Sequence, residues 1–534
     1  METKSRMKIR VTFLGGLCGD NLTGSMTLLE VQKAKRMIRI LIDAGLFQGK
    51  NSEKYNMQAI RSIDPQKIDV VVITHVHNDH VGLLVWLAKN GFEGGVIATK
   101  HTVDIFPVIA EDSAKIQEQD YKKRVRALQR QKAKEKATRP KMLRRNKAKI
   151  KLEKLDRMRE EVDRIKRRVK SETEKKDLIL YNRKDVEEML GRKLFKNGGF
   201  DYEIPVRIAH GITVKFYSSA HVLGGASVLI GIKDKETVRN LCFTGDLGRE
   251  DNIILPPLGI PEEEPEYLFI ESVYGNRLHP NREDNDEQYF AEIKRCYDKG
   301  QKITESVFAF QRPQESILKK TVAMLEGRIP EMPIYVDSPL LMSLNQVFAR
   351  CWSMKEIGYR RDIITFNPFM AEGKNKNPFL KYAETHEDSQ ALIRKKGQFM
   401  VMACSGMGTN GRIIYHYGYG LPREDFVFFI LGYAVSETLN SKLARGEKVV
   451  EINKKSMEVR ARIKVFLGDS GHGDADLLRG YARKTLRKKT TKGVFIVHGS
   501  KEGGAGLKRN IIGDLGGIWE KKIVIPERGQ TFQL

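Results

Sequence analysis

Short apolar runs punctuate the chain, and most of them stop at a polar, glycine-rich or histidine-bearing cluster. VTFLGG from Val11, MTLLEV from Met26 and RILIDAGLFQG from Arg39 read as strands joined by glycine turns. Residues 68–73, 214–217, 241–243, 267–270, 400–402 and 494–497 repeat the form. Amphipathic stretches such as 79–89 alternate with these runs, so the pattern predicts an α/β architecture in which functional side chains sit just past strand ends.

One region breaks the pattern. Residues 121–176 contain no glycine, are rich in Lys, Arg, Glu and Ala, and hold a single proline, Pro140. Leu155, Met158, Val162, Ile165 and Val169 follow the 3-4-3-4 spacing of a coiled-coil seam, and Tyr121, Val125 and Leu128 offer a stripe on an earlier helix. This predicts an antiparallel helical hairpin turning near residues 138–140. At 1.5 Å per residue its second arm would reach roughly 50 Å.

Composition narrows the classes of function. With 534 residues, 40% of them hydrophobic, the chain is long enough for two or three domains. No apolar run approaches the ~20 residues of a membrane-crossing helix and the amino-terminal residues hold no signal-peptide core, so a cytoplasmic location is expected. The five cysteines are far apart with no CxxC, against both disulfides and a thiolate zinc site. A formal net charge of +26 points to a polyanionic partner, with nucleic acid the usual one. Residues 121–178 carry 25 Lys/Arg against 9 Asp/Glu, so most of that excess is local. A solvated hairpin without a partner is the plain reading of such a segment; contact with RNA or DNA phosphates is the sharper one.

The strongest chemical signal is HVHNDH, residues 75–80, placed directly after the strand at 68–73. Three histidines and an aspartate within six residues supply ligands on two sides of one turn. His221 in SSAHVLGG, Asp246 in CFTGDLGR and His498 in FIVHGS each follow a strand in the same way. We expect His75, His77 and His221 around one metal and Asp79, His80 and His498 around a second, with Asp246 bridging. Imidazole and carboxylate donors suit zinc best, manganese or iron less well. Two such ions can share a hydroxide and clamp the oxygens of a phosphodiester. His101, His210, His279 and His386 read as surface or packing residues.

These residues carry a resemblance to the metallo-β-lactamase superfamily, whose signature is HxHxDH with a later His and a later bridging Asp. Asp43 in LIDAGLFQG is similar to that family's first motif, an aspartate supporting the ligands from behind. From ESVYG at residues 271–275 the chain resembles the β-CASP branch, the nucleic-acid nucleases that include ribonuclease J and the pre-mRNA 3′-end endonuclease. AFQRPQE with Arg312 resembles its phosphate-side block, VDSPL with Asp337 motif A, SGHGD with His472 motif B, and VHG with His498 motif C. ACSGMGTNGR, with Ser405, Gly406 and Arg412, resembles the loop that faces substrate phosphates. Asn78, Val273 and Gly473 depart from the usual pattern without removing a ligand.

The resemblance implies a fold and a reaction. The fold would be an αββα sandwich with an inserted α/β β-CASP domain and the basic hairpin: core residues 1–120, 179–275 and 465–534, hairpin 121–178, β-CASP domain 276–464. The reaction would be two-metal hydrolysis of RNA phosphodiesters through a bridging hydroxide, leaving 5′-phosphate and 3′-hydroxyl ends. His472 would act as general acid, Asp337 would orient it, and Asp79 would serve the chemistry as well as the metal. Arg312, Ser405, Gly406 and Arg412 would hold phosphates, while His416 is open between packing and such a role. His at motif C favours single-stranded RNA over DNA, so a DNA nuclease is the nearest alternative and a small-molecule hydrolase a remoter one. Neither a further RNA-binding domain nor an extension is expected, and a homodimer stays open.

Overall fold

A computed structural model of the chain describes residues 7–19, 23–33, 36–49, 51–145, 179–235, 237–432, 437–468 and 470–534. Two mixed sheets face one another. The first has six strands in the order Thr531–Gln533, Lys8–Gly15, Met26–Lys33, Arg36–Ile42, Val70–Val72 and Gly95–Ile97. The second has seven, in the order Ile523–Val524, Gly493–Val497, Tyr267–Glu271, Thr237–Phe243, Ala226–Asp234, Ile212–Ser218 and Val206–Ala209. Alternating side chains on the facing surfaces, such as Val11, Phe13, Leu29 and Ile40 against Val214, Phe216, Val228 and Ile230, form one dry core. Both outer faces are covered by helices, Leu84–Lys89 and Arg183–Gly191 on one side, Ala475–Thr485 and Lys501–Leu515 on the other.

A third sheet sits apart from these two. Its six strands, Leu380–Tyr382, Ile334–Asp337, Met400–Ala403, Lys302–Ser306, Phe426–Leu431 and Arg462–Phe466, pair in parallel throughout. Helices bury both its faces, which explains why Met400–Ala403 and Phe426–Leu431 are unbroken apolar runs rather than alternating ones. Arg312–Leu325 and Pro339–Ser353 also pack against the first layer of the core, where Phe310, Leu318 and Phe348 join Ile105, Phe106 and Ile109 in one cluster. That shared cluster holds the third sheet's domain over the mouth of the two-sheet core.

The predicted hairpin is corrected in part. Its first arm belongs to a helix that begins at Lys100, well before residue 121, and runs without a turn to Arg145. The turn expected at 138–140 is absent, and Pro140 lies inside the helix, where it removes one backbone hydrogen bond. The coiled-coil seam of Leu155, Met158, Val162, Ile165 and Val169 lies outside the described residues. No helix among the described residues is long and apolar enough to cross a membrane. The amphipathic stretch at 79–89 forms two short helices, Asn78–Val81 and Leu84–Lys89, with a break at Gly82 and Leu83.

Candidate metal centre

The site lies where several core strands end. Val70–Val72 leads into Thr74 and the histidine turn, Ile212–Ser218 into His221, Thr237–Phe243 into Asp246, Tyr267–Glu271 ends on Glu271, and Gly493–Val497 leads into His498. Three residues at these strand ends hold backbone that side-chain-bearing residues rarely adopt: φ is +59° at Asp43, +54° at Ala220 and +46° at His498.

The DAG segment explains how the turn is held. Ala44 N–H donates to the His80 carbonyl (2.7 Å), Leu46 N–H to the Asn78 carbonyl (2.9 Å), and Ser25 N–H to the Asp79 carbonyl (2.7 Å). Gly45 must be glycine, because a Cβ there would sit 1.8 Å from the Asp79 carbonyl oxygen. Asp43 is buried and accepts from Thr74 N–H (2.8 Å), Thr74 Oγ1 (3.0 Å), Ser25 Oγ (3.1 Å) and His80 Nδ1 (2.7 Å). Holding Nδ1 of His80 this way turns Nε2 inward.

The same logic aims the other rings. His221 donates from Nδ1 to the Gly471 carbonyl (2.8 Å), so its Nε2 faces His77 Nδ1 at 3.4 Å and Asp246 Oδ2 at 3.6 Å. His75 Nε2 lies 3.0 Å from His77 Nδ1 and 3.5 Å from Asp246 Oδ2. On the other carboxylate oxygen, Asp246 Oδ1 faces His80 Nε2 at 3.4 Å and His498 Nε2 at 3.3 Å. Asp246 thus presents one oxygen to each of two histidine groups. One group is His75, His77, His221 and Asp246; the other is Asp79, His80 and His498, with one ligand atom from each member within 4.8 Å of the rest.

Electrostatics agree with a cation-binding role. Burial and the charge of neighbouring His80 push His75 well below the ordinary imidazole range; burial and His472 do the same to His221, and burial lowers His77 to about 4. These rings are therefore neutral, the form that ligates metal. Burial opposes the charge on Asp246, but His498, His80 and His75 outweigh it and hold the carboxyl well below its usual value. Burial likewise opposes protonation of His80, yet Asp246 and Asp43 raise it well above its ordinary pKa. Among the described residues, His80 Nε2, Asp246 Oδ1 and His498 Nδ1 are buried without a hydrogen-bond partner. His80 Nε2 and Asp246 Oδ1 face into the cluster, and polar atoms left unmatched there are costly unless something binds them, so this donor set fits a pair of divalent ions.

A cleft of about 340 Å³ opens beside the cluster, lined by His77, Asp79, His221, Phe310, Arg312 and His472 among others. His472 donates from Nδ1 to Glu271 Oε1 at 3.1 Å. Burial disfavours its charged form, but Glu271, with Asp246 behind it, raises its pKa above the ordinary value. Glu271 also accepts from Leu247 N–H (2.9 Å) and Val273 N–H (2.9 Å), tying the His472 loop to the residue beside Asp246. Arg312 opens the helix Arg312–Leu325, with its guanidinium 5.3 Å from the Phe308 ring.

Metallo-beta-lactamase superfamily sequence extends over residues 24–278, a Beta-Casp domain over 317–443, and a Zn-dependent metallo-hydrolase RNA specificity domain over 456–526. The chain belongs to the β-CASP branch of the metallo-β-lactamase superfamily. It is an enzyme of that metallo-hydrolase class. The chain is similar to a ribonuclease of Thermus thermophilus, 27% identical over 87% of this chain and 88% of the relative. It is also similar to the transcription termination factor FttA of Methanosarcina mazei, 24% identical over 98% of this chain and 70% of that protein. A third relative is the cleavage and polyadenylation specificity factor 73 of Drosophila melanogaster, 24% identical over 92% and 60% of the two chains.

The expected roles of Asp337, Arg412, Ser405 and Gly406 need correction. Asp337 does not orient His472. It ends the strand Ile334–Asp337 in the third sheet, and its carboxylate accepts from His416 Nε2 (2.7 Å), Arg412 Nη1 (2.7 Å) and Ser389 Oγ (2.7 Å). Arg412 is committed to Asp337 and to the Ala383 and Glu384 carbonyls, not to the cleft. Ser405 and Gly406 also lie outside the cleft lining: the Ser405 carbonyl accepts from Ser306 Oγ and the Gly406 carbonyl from Asn440 Nδ2, each at 2.8 Å. The acceptor that does hold His472 is Glu271. The signal was present in ESVYG, since Glu271 closes a strand as the ligands do. His279, read as a packing residue, donates from Nε2 to the His472 carbonyl at 2.8 Å and steadies the same loop.

Proposed function

We propose that this β-CASP enzyme is a zinc-dependent ribonuclease that hydrolyses single-stranded RNA in the cleft beside Asp246, leaving 5′-phosphate and 3′-hydroxyl ends. The observation that carries the reading is the bridging carboxylate: Asp246 turns Oδ2 to His75 and His221 and Oδ1 to His80 and His498. His75, His77 and His221 would hold one ion, Asp79, His80 and His498 the other, with Asp246 shared and zinc preferred over manganese for these donors. Such ions, when bound, supply Lewis acidity that lowers the pKa of water and relieves charge building on phosphate oxygens.

The chain's own groups do the rest. His472 delivers a proton to the departing 3′ oxygen, and Glu271, bound to Nδ1, keeps the ring in the orientation that directs Nε2 to the cleft. Arg312 balances phosphate charge at the cleft wall. The excess of Lys and Arg in the sequence of residues 121–178 suits RNA phosphates. RNA is favoured over DNA by His498 in the VHG motif, by the RNA specificity domain, and by relatives named as a ribonuclease and a polyadenylation cleavage factor. The same company of relatives suits a cytoplasmic role in RNA processing or decay.

Matched single-stranded RNA and DNA, labelled at either end and offered with 5′-monophosphate or 5′-triphosphate, test this reading. RNA should be cut with a phosphate on the downstream fragment, and His472→Ala should lose about 10²–10⁴-fold in turnover while retaining its bound metal. DNA cut as fast as RNA, or full turnover in His472→Ala, would overturn the substrate or the acid respectively.

A further inference from the structure

A second group of metal-binding side chains lies away from the cleft, at the seam between core and β-CASP domain. His101 stands in the first turn of the helix Lys100–Arg145, Cys351 in the last turn of Pro339–Ser353, and Glu356 just beyond it. Cys351 Sγ is 3.7 Å from His101 Nδ1, and Glu356 Oε2 is 4.0 Å from His101 Nε2. One ligand atom from each of the three lies within 4.8 Å of the other two. The Glu356 separation exceeds a hydrogen bond. Zinc bonds of about 2.3 Å to sulfur and about 2.0 Å to nitrogen put tetrahedral donors about 3.5 Å apart, close to the 3.7 Å between Cys351 Sγ and His101 Nδ1; an ion takes one ring nitrogen, so Glu356, nearest Nε2, would join it by rotation of its exposed side chain.

Chemistry and access point the same way. Neutral imidazole, thiolate and carboxylate carry two negative charges, which matches a divalent cation, and the mixture of soft and hard donors is one zinc accepts readily. Asp104, one turn beyond His101 on the same helix, adds negative charge that acts on Cys351. Cys351 is buried, whereas the Glu356 side chain is 36% exposed, so an ion has an entry path. We infer that His101, Cys351 and Glu356 form a zinc-class site that pins the β-CASP domain to the core. Burial, then Glu356, raises the Cys351 thiol to about 12, so binding an ion there releases its proton.

Cobalt(II) loaded into the full chain separates this site from the cleft. The cleft donors are imidazole and carboxylate only, so near-ultraviolet thiolate-to-cobalt charge transfer reports the second site alone. The expected result is such a band, together with one more ion per chain than Cys351→Ser binds and a cobalt-dependent rise in melting temperature that this variant lacks. Even outer partners of a ligand are worth about 10–100-fold in affinity, so Glu356→Gln, a change at an accessible position, should weaken cobalt here by about tenfold or more. Equal ion counts in the parent chain and Cys351→Ser, or a band that survives Cys351→Ser, would overturn the proposal.

Discussion

Asp246 and Asp337 are both buried aspartates at or just past the ends of strands, each beside a histidine, yet they do opposite work. Asp337 is fully matched: His416, Arg412 and Ser389 each donate to it at 2.7 Å, so its charge is neutralised and nothing further can bind. Asp246 faces four imidazoles at 3.3–3.6 Å, beyond good hydrogen-bond range, and its Oδ1 has no partner among the described residues. A buried carboxylate whose neighbours stand back around it leaves room for an ion; one whose neighbours close upon it holds a fold together. Strand-end position and residue type are shared by the two, and only the donor spacing separates them.

The same near-isosteric change, Asp→Asn, sharpens this contrast. Asp246→Asn removes the charge shared by both histidine groups. It should abolish the binding of at least one ion and lower turnover by about 10³-fold or more, since metal stabilisation of a transition state is worth several kcal/mol and each 1.4 kcal/mol is tenfold. Elemental analysis beside single-turnover rates would check this, and unchanged metal content would break the comparison. Asp43→Asn should do less. Asp43 holds His80 from behind at 2.7 Å, so metal affinity should fall by about 10–100-fold while saturating metal restores turnover. A metal titration of activity would distinguish that from a loss that saturating metal leaves in place.

The sequence exposed the first of these sites far better than the second. HVHNDH, His221, Asp246 and His498 were readable because ligands past strand ends follow a local rule, and the strand runs themselves are continuous apolar segments, a consequence of sheets covered on both faces. Asp337 sits in the same kind of place, but its partners come from two other helical segments, Ser389 from His386–Arg394 and Arg412 with His416 from the first turn of Ile413–Gly420, and nothing local to VDSPL announces that they converge on it. Glu271 shows its strand-end position in ESVYG, but its pairing with His472, 201 residues further on, has no periodic signature. The basic region was legible as helix from its composition, yet its start at Lys100 was not, because 100–120 mixes buried residues such as Ile105 and Phe106 with polar ones and reads as core.

Asp337→Asn is expected to have the smallest effect on chemistry and a clear effect on stability. Removing one partner of a buried, hydrogen-bonded charge group costs about 3–5 kcal/mol when the others stay behind unpaired, while metal content and cleavage by the folded fraction should be unchanged. The pH dependence gives the sharper reading. Burial works against the charged form of Asp337, but His416, Arg412 and Ser389 prevail and hold its pKa below the usual carboxylate value. A depressed folded-state pKa means the unfolded chain takes up this proton first as acid is added. The stabilisation is therefore complete above the unfolded pKa, about 3.9, and disappears as pH falls through the lower folded value. Urea unfolding between neutral pH and about pH 3 should show the parent chain losing stability below about pH 4 more steeply than Asp337→Asn does, because the variant has no proton to take up there. Parallel acid limbs in the two proteins would mean that Asp337 carries no net charge stabilisation, and the distinction drawn between a closed and an open buried carboxylate would then rest on Asp246 alone.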